Sequence, residues 1–164
     1  MNVILIGMPA CGKSTVGVLV AKKLGYGFVD TDLVIQEQQG KLLQQIMDTE
    51  GVEALLEAER VAINSLTCKN TVVATGGSAV FSAEAMNHLK EDGIVVYIKL
   101  PFEVIESRLT DLDTRGVAGS TTKTLAEIFE ERAPFYDKYG QVVIDACQMT
   151  AQEVCDAIIS AINK

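Results

Sequence analysis

With 164 residues, 48% of them hydrophobic and 22% charged, the chain has the size and composition of one globular domain with a real core. A formal net charge of −8 argues against a nucleic-acid binder, which presents a basic face. The four cysteines (Cys11, Cys68, Cys147, Cys155) and the one histidine, His88, make neither a CxxC pair nor a zinc-ligand spacing. They read as free thiols of a reducing compartment and a surface imidazole.

In chain order, the apolar run 2–6 is far too short for a signal or a membrane span and reads as a strand. A helix is expected over 13–24, a strand over 27–30, and helical pattern over 31–47, broken near Gly40. A helix over 52–66, a strand over 71–75, a helix over 83–90, a strand over 94–98 and a helix over 101–109 follow. Residues 110–121 are rich in Asp, Thr, Gly and Ser and read as a mobile loop of the kind that closes over active sites. A helix over 122–131, a strand over 141–144 and a helix over 151–162 complete the chain. Nearly continuous Val/Ile strands are those buried on both faces. Their alternation with helices predicts an α/β fold of three layers, with a parallel sheet between helices. A cytoplasmic monomer is expected, with a small molecule as partner and neither nucleic acid nor membrane.

Gly7-Met8-Pro9-Ala10-Cys11-Gly12-Lys13-Ser14 fits GxxxxGK[ST] at every fixed position, between a strand and a helix. Gly7 and Gly12 permit a backbone that a Cβ would block. Loop amides, those of Pro9's neighbours, Ala10 and Cys11 among them, then cradle phosphate oxygens at a helix N-terminus. Lys13 is expected on the β- and γ-phosphates of ATP, and Ser14 on Mg²⁺. No NKxD follows for guanine, and the strand 71–75 ends in Thr rather than in a metal-binding Asp. The nearest carboxylates are Asp30 and Asp32, beyond the second strand, where ligands of open parallel sheets bind. Asp30 is placed toward the phosphate loop and the metal, Asp32 toward an acceptor. The plainer alternative is that Asp30 or Thr31 only caps the next helix.

These residues make the chain resemble the shikimate kinase family, within the nucleoside-monophosphate-kinase-like P-loop group, over nearly its whole length. Gly7 to Thr15 resembles the family's phosphate loop, and Asp30-Thr31-Asp32 its DTD, whose first Asp holds Mg²⁺ and whose second binds substrate hydroxyls. Thr75-Gly76-Gly77 is similar to the glycine turn beside the substrate. Arg108 falls where the family stacks an arginine on adenine, Arg115 where the lid arginine sits. Arg132, in Arg132-Ala133-Pro134-Phe135-Tyr136, resembles the RxPxY whose arginine grips the substrate carboxylate. The resemblance implies strand order 2-3-1-4-5, a single domain over 1–164, an acceptor-binding region over about 32–60 and a lid over about 110–122.

Three positions depart from the family pattern. Ser78 replaces the third turn glycine, Gly116 replaces the proline after the lid arginine, and Leu56 stands where GExxFRxxE has its carboxylate-binding arginine. An aliphatic chain cannot make a bidentate clamp. Arg60, one turn on, either reaches back toward the acceptor or pairs on the surface with Glu57 or Glu53. Glu59, the last position of that motif, has lost the arginine that would partner it.

The implied reaction transfers the γ-phosphoryl group of ATP to the 3-hydroxyl of shikimate, for aromatic amino-acid synthesis. Lys13, Asp32 and Arg115 are the expected catalytic residues, and Gly76, Gly77, Arg132, Asp32 and Arg60 the expected acceptor contacts. The alternatives are a kinase for another small hydroxy acid or polyol, suggested by Leu56, and a nucleotide-binding regulator without catalysis.

Overall fold

A computed structural model describes residues 1–110 and 122–163 of the chain. Among these residues the sheet has five parallel strands in the order β2-β3-β1-β4-β5. They are β1 (Asn2–Ile6), β2 (Gly27–Asp30), β3 (Thr71–Ala74), β4 (Gly93–Lys99) and β5 (Val142–Asp145). The expected strand order is therefore observed. β1 lies at the centre with every residue buried, pairing Val3 with Val72 on one side and with Ile94 on the other. Its successive side chains leave on opposite faces. Leu5 meets Gly17 of α1 (Lys13–Leu24), and Ile4 lies beside Gly93, which opens β4 just after α5 (Ala83–Glu91).

β2, β3 and β1 are neighbours and all parallel, so all three release the chain at the same edge of the sheet. That edge gathers Gly7, Asp30 and Thr75-Gly76-Gly77 from distant parts of the sequence. The chain order reverses between β3 and β4 on either side of β1, which opens a ligand crevice in folds of this kind.

The helical segment expected over 31–47 is two helices, α2 (Thr31–Gln39) and α3 (Leu43–Glu50). Gly40 divides them with a left-handed φ of 64°, its N–H bonded to the Gln36 carbonyl. With α4 (Val52–Asn64) they enclose a small core of their own, Ile35, Ile46, Leu55, Ala58 and Ala62. α6 spans Phe102–Thr110, and α8 (Ala151–Ile162) packs on α1 and β5.

α7 (Leu125–Tyr139) runs well past residue 131, where a helix end is expected, and carries Pro134 inside it. Proline removes one helical hydrogen bond, a cost of roughly 3 kcal/mol in a helix interior. Pro134 is exposed while Arg132, Tyr136 and Tyr139 are buried. Tyr136 also stacks on Tyr97 of β4 at 5.3 Å between ring centroids. Tertiary packing thus carries the helix through the proline. His88 is half-buried rather than on the surface, its Nε2 2.9 Å from the Leu66 carbonyl. Among the described residues no helix is long and apolar enough to cross a membrane.

Candidate active site

The loop after β1 folds back tightly enough to need its glycines. A Cβ on Gly7, at φ 147°, would lie 2.7 Å from the Ile98 carbonyl oxygen. Ala10 also takes a left-handed φ, 64°, which is strained for a residue with a Cβ. Gly12 caps α1 at φ 94°, and neither a side-chain cap nor an acidic residue occupies the first turn of that helix. The turn is therefore open to an anion. Lys13, buried, donates from Nζ to the carbonyls of Gly7 and Met8, each at 2.8 Å, with Cys11 Sγ at 3.6 Å. Pro9 and Ala10 are half-buried, and Ser14 and Thr15 exposed.

Asp30 both caps and binds. Its Oδ1 accepts from the Asp32 amide at 3.0 Å, which caps α2, while Oδ2 accepts from Ser14 Oγ at 2.6 Å. The capping alternative and the phosphate-side placement are thus both satisfied by one carboxylate. Thr31 is fully buried, and its hydroxyl accepts from the Gly76 amide, joining the end of β2 to the glycine turn after β3.

Gly76 and Gly77 are close-approach positions. A Cβ on Gly76 would fall 2.2 Å from Glu59 Oε1 and 3.1 Å from Asp32 Oδ1, and one on Gly77 would fall 2.7 Å from Arg132 Nη1. Arg132 is buried, with its guanidinium 5.6 Å from the ring centroid of Phe81. Tyr136, one turn further along α7, donates its hydroxyl to the Gly77 carbonyl at 2.6 Å and touches Met8 Sδ. It braces the phosphate loop and the glycine turn against each other, and its burial holds the phenol protonated.

One cavity of about 280 Å³ joins these parts. Lys13, Ser14 and Asp30 line its phosphate end; Asp32, Gly76, Gly77 and Arg132 line its other end, with Ile35, Leu43 and Leu55 as an apolar wall. The lining is that of a site for two substrates, a polyphosphate at one end and a small polar molecule with an anionic group at the other.

The family model described as shikimate kinase matches residues 9–163. The chain belongs to the shikimate kinase family. It is 35% identical to a shikimate kinase of Thermodesulfovibrio yellowstonii over 96% of this chain and 92% of that one. It is 37% identical to one of Persephonella marina over 82% and 83%. A solved shikimate kinase from Acinetobacter baumannii in complex with shikimate superposes with a TM-score of 0.87 at 32% identity, covering 99% of this chain and 92% of that one.

Set against the family pattern, one expected position reads differently in the structure. Arg60 is not in the cavity. Its Nη2 binds Glu57 at 2.7 Å and its Nη1 binds Glu84 at 2.8 Å, on the outer face of α4. The reason is helical phase. Leu55 and Glu59, four apart, face the cavity; Leu56 and Arg60, one residue on, are turned by about 100° and line a separate groove of about 400 Å³. Arg60→Ala is accordingly expected to leave acceptor KM within about twofold and to change stability little, as solvent-screened exposed pairs do. Steady-state kinetics and urea unfolding check both. Arg108, exposed, donates from Nη1 to the Ala10 carbonyl at 2.9 Å, beside the phosphate loop. Arg115 and Gly116 lie outside the described residues.

Sequence reasoning left Glu59 without a partner and gave Ser78 no role. The structure joins them: Ser78 Oγ donates to Glu59 Oε2, and both residues are buried. Burial, with the Asp32 charge nearby, pushes the Glu59 carboxyl up to about 7, against the opposing pull of Ser78, Arg132 and Lys13. Asp32 is also raised, first by burial and then by Asp30, with Lys13 opposing.

The folded state thus holds the Glu59 proton to a higher pH than the unfolded chain, where the ordinary value is 4.5. Below that value both states carry the proton. Between 4.5 and about 7 only the folded state does, so the contribution to stability falls as pH rises through this window. The loss is on the order of 3 kcal/mol for a shift of this size. Glu59→Gln removes it. Urea unfolding at pH 5 and pH 8 should show the variant gaining on the wild type at the higher pH; an equal difference at both would contradict the assignment.

Proposed function

We propose that this protein is a shikimate kinase, transferring the γ-phosphoryl group of ATP to the 3-hydroxyl of shikimate. The observation that carries the reading is the single cavity in which a phosphate-binding loop and the Asp32–Arg132 pair face each other.

Phosphoryl transfer requires positioning and neutralisation of charge more than covalent chemistry from the protein. In this reading Gly7, Pro9, Ala10, Cys11, Gly12 and Thr15 form the loop around the phosphates, and Lys13 exchanges its contacts to the Gly7 and Met8 carbonyls for phosphate oxygens. Arg132 holds the acceptor carboxylate against Gly77, and Asp32 orients the reacting hydroxyl. As that oxygen bonds to the γ-phosphorus and the bridging P–O bond to ADP breaks, the hydroxyl proton passes to Asp32. Arg108 borders the nucleotide, and Arg115 on a closing lid adds charge at the transferred group and excludes water.

Mg²⁺ suits the donor set at the base of the loop. The Ser14 hydroxyl and an Asp30 carboxylate oxygen, 2.6 Å apart, are both hard oxygen ligands. Those two residues would hold the ion, Asp30 directly or through water, and the ion would neutralise charge on the phosphates. The reading places the enzyme in the cytosol as a monomer.

A second reading, a kinase for another small hydroxy acid or polyol, is favoured by one observation. Position 56 carries leucine in place of an arginine, and among the described lining residues Arg132 is the one arginine. A missing charge-assisted bond weakens binding by about 1.5–3 kcal/mol, or roughly 10- to 150-fold. Acceptor-dependent ADP release across a panel of hydroxy acids and polyols separates the two. The first reading expects shikimate to give the highest kcat/KM; a different acceptor exceeding it would favour the second.

A further inference from the structure

The acceptor cavity and the neighbouring groove share one partition, and it is made of Glu59 and Ser78. Ser78 interrupts what would otherwise be a run of three glycines, and it is the residue that introduces a hydroxyl donor at this wall. We propose that Ser78 is a specificity-determining positioning residue: its hydroxyl holds the Glu59 carboxyl against Gly76, and the pair decides how much negative charge an acceptor can carry at that wall. The inference deepens the acceptor reading given above and rests on it for the choice of ligand.

The geometry leaves the carboxyl little freedom. Oε2 is taken by Ser78 Oγ, and Oε1 sits so close to Gly76 that no Cβ fits between them. The charged groups facing it come from three elements. Asp32 on α2 repels negative charge there; Lys13 at the start of α1 and Arg132 on α7 favour it. On α4 itself, Glu57 and Arg60 turn to the outer face, where Arg60 also holds Glu84 of α5. A hydroxyl donor stabilises the ionised carboxyl, whereas burial stabilises the neutral one. Ser78 therefore shifts the wall toward negative charge, and it does so close to neutrality. An anionic acceptor meets least repulsion while Glu59 keeps its proton. The hydroxyl at position 78 sets the pH at which that advantage ends.

The test combines shikimate calorimetry without nucleotide and ¹³C NMR of the Glu59 carboxyl, from pH 5.5 to 9. In the wild type shikimate affinity should fall by about fivefold between pH 7 and pH 8, as linkage to a group titrating near 7 requires. Ser78→Ala should move both the affinity limb and the Glu59 midpoint to higher pH, so that at pH 8 it binds shikimate more tightly than the wild type. Glu59→Gln should flatten the limb. The proposal is overturned if the Glu59 midpoint is the same in Ser78→Ala as in the wild type, or if the limb survives in Glu59→Gln. If the wild type binds no shikimate at any pH while the NMR midpoint moves as stated, Ser78 still controls the wall charge and it is the choice of acceptor that fails.

Discussion

Lys13→Met is expected to lower kcat/KM for ATP by about 10²- to 10³-fold or more, the usual consequence of deleting a preorganised charge from a transition-state site. The ammonium is buried at the phosphate end of the cavity, and its neighbours Gly7 and Met8 point carbonyl oxygens at it. Methionine matches the length of the side chain without the charge, and it leaves both carbonyls without that donor. A stability loss of about 1–3 kcal/mol is therefore also expected. Thermal unfolding must accompany the kinetics, so that lost charge is distinguished from lost fold. A folded Lys13→Met with near wild-type turnover would remove the phosphate loop from the mechanism.

Asp32→Asn is expected to reduce kcat by about 10²- to 10³-fold, because the amide can neither accept the hydroxyl proton nor orient it as a carboxylate does. The stability expectation runs the other way. Asp32 is desolvated and repelled by Asp30, which raises its carboxyl above the ordinary range. An uncharged isostere relieves that burden, so unfolding at neutral pH should show the variant as stable as the wild type or more so. Loss of turnover together with unchanged or raised stability is a signature that mere misfolding does not produce. Unchanged kcat would leave Asp32 as an acceptor contact only.

The sheet was legible because its signals are local. Val/Ile runs announce β1, β3 and β4, the buried strands of the sheet, while the edge strands β2 and β5 are partly exposed; a glycine loop between strand and helix announces a phosphate site. The DTD segment could be placed because chain direction in a parallel sheet puts all strand ends of one kind at one edge. The strand order itself came through family resemblance, and the pairing of β1 with β3 and β4 agrees with it.

What escaped depended on rotation and long range. Whether Arg60 reaches the acceptor turns on the phase of α4, which is fixed by Leu55 and Ala58 packing into the small core with Ile35 and Ile46. No local pattern distinguishes Leu55 from Leu56 as the one that faces inward. The Ser78–Glu59 bond spans 19 residues and the Tyr136–Gly77 bond spans 59. Each joins a helix to the same glycine turn, so neither could be inferred from spacing. A signal for Ser78 did exist, as the polar interruption of a glycine run. Pro134 misplaced the end of α7 because a helix-breaking propensity was outweighed by buried Arg132 and Tyr136 on its inner face.

The most direct test of the whole account is ³¹P NMR of the protein with ATP, Mg²⁺ and shikimate. One phosphomonoester resonance should grow in step with ADP, and neither should form when shikimate is left out. ADP accompanied only by inorganic phosphate, or an unchanged ATP spectrum from folded protein, would contradict the account.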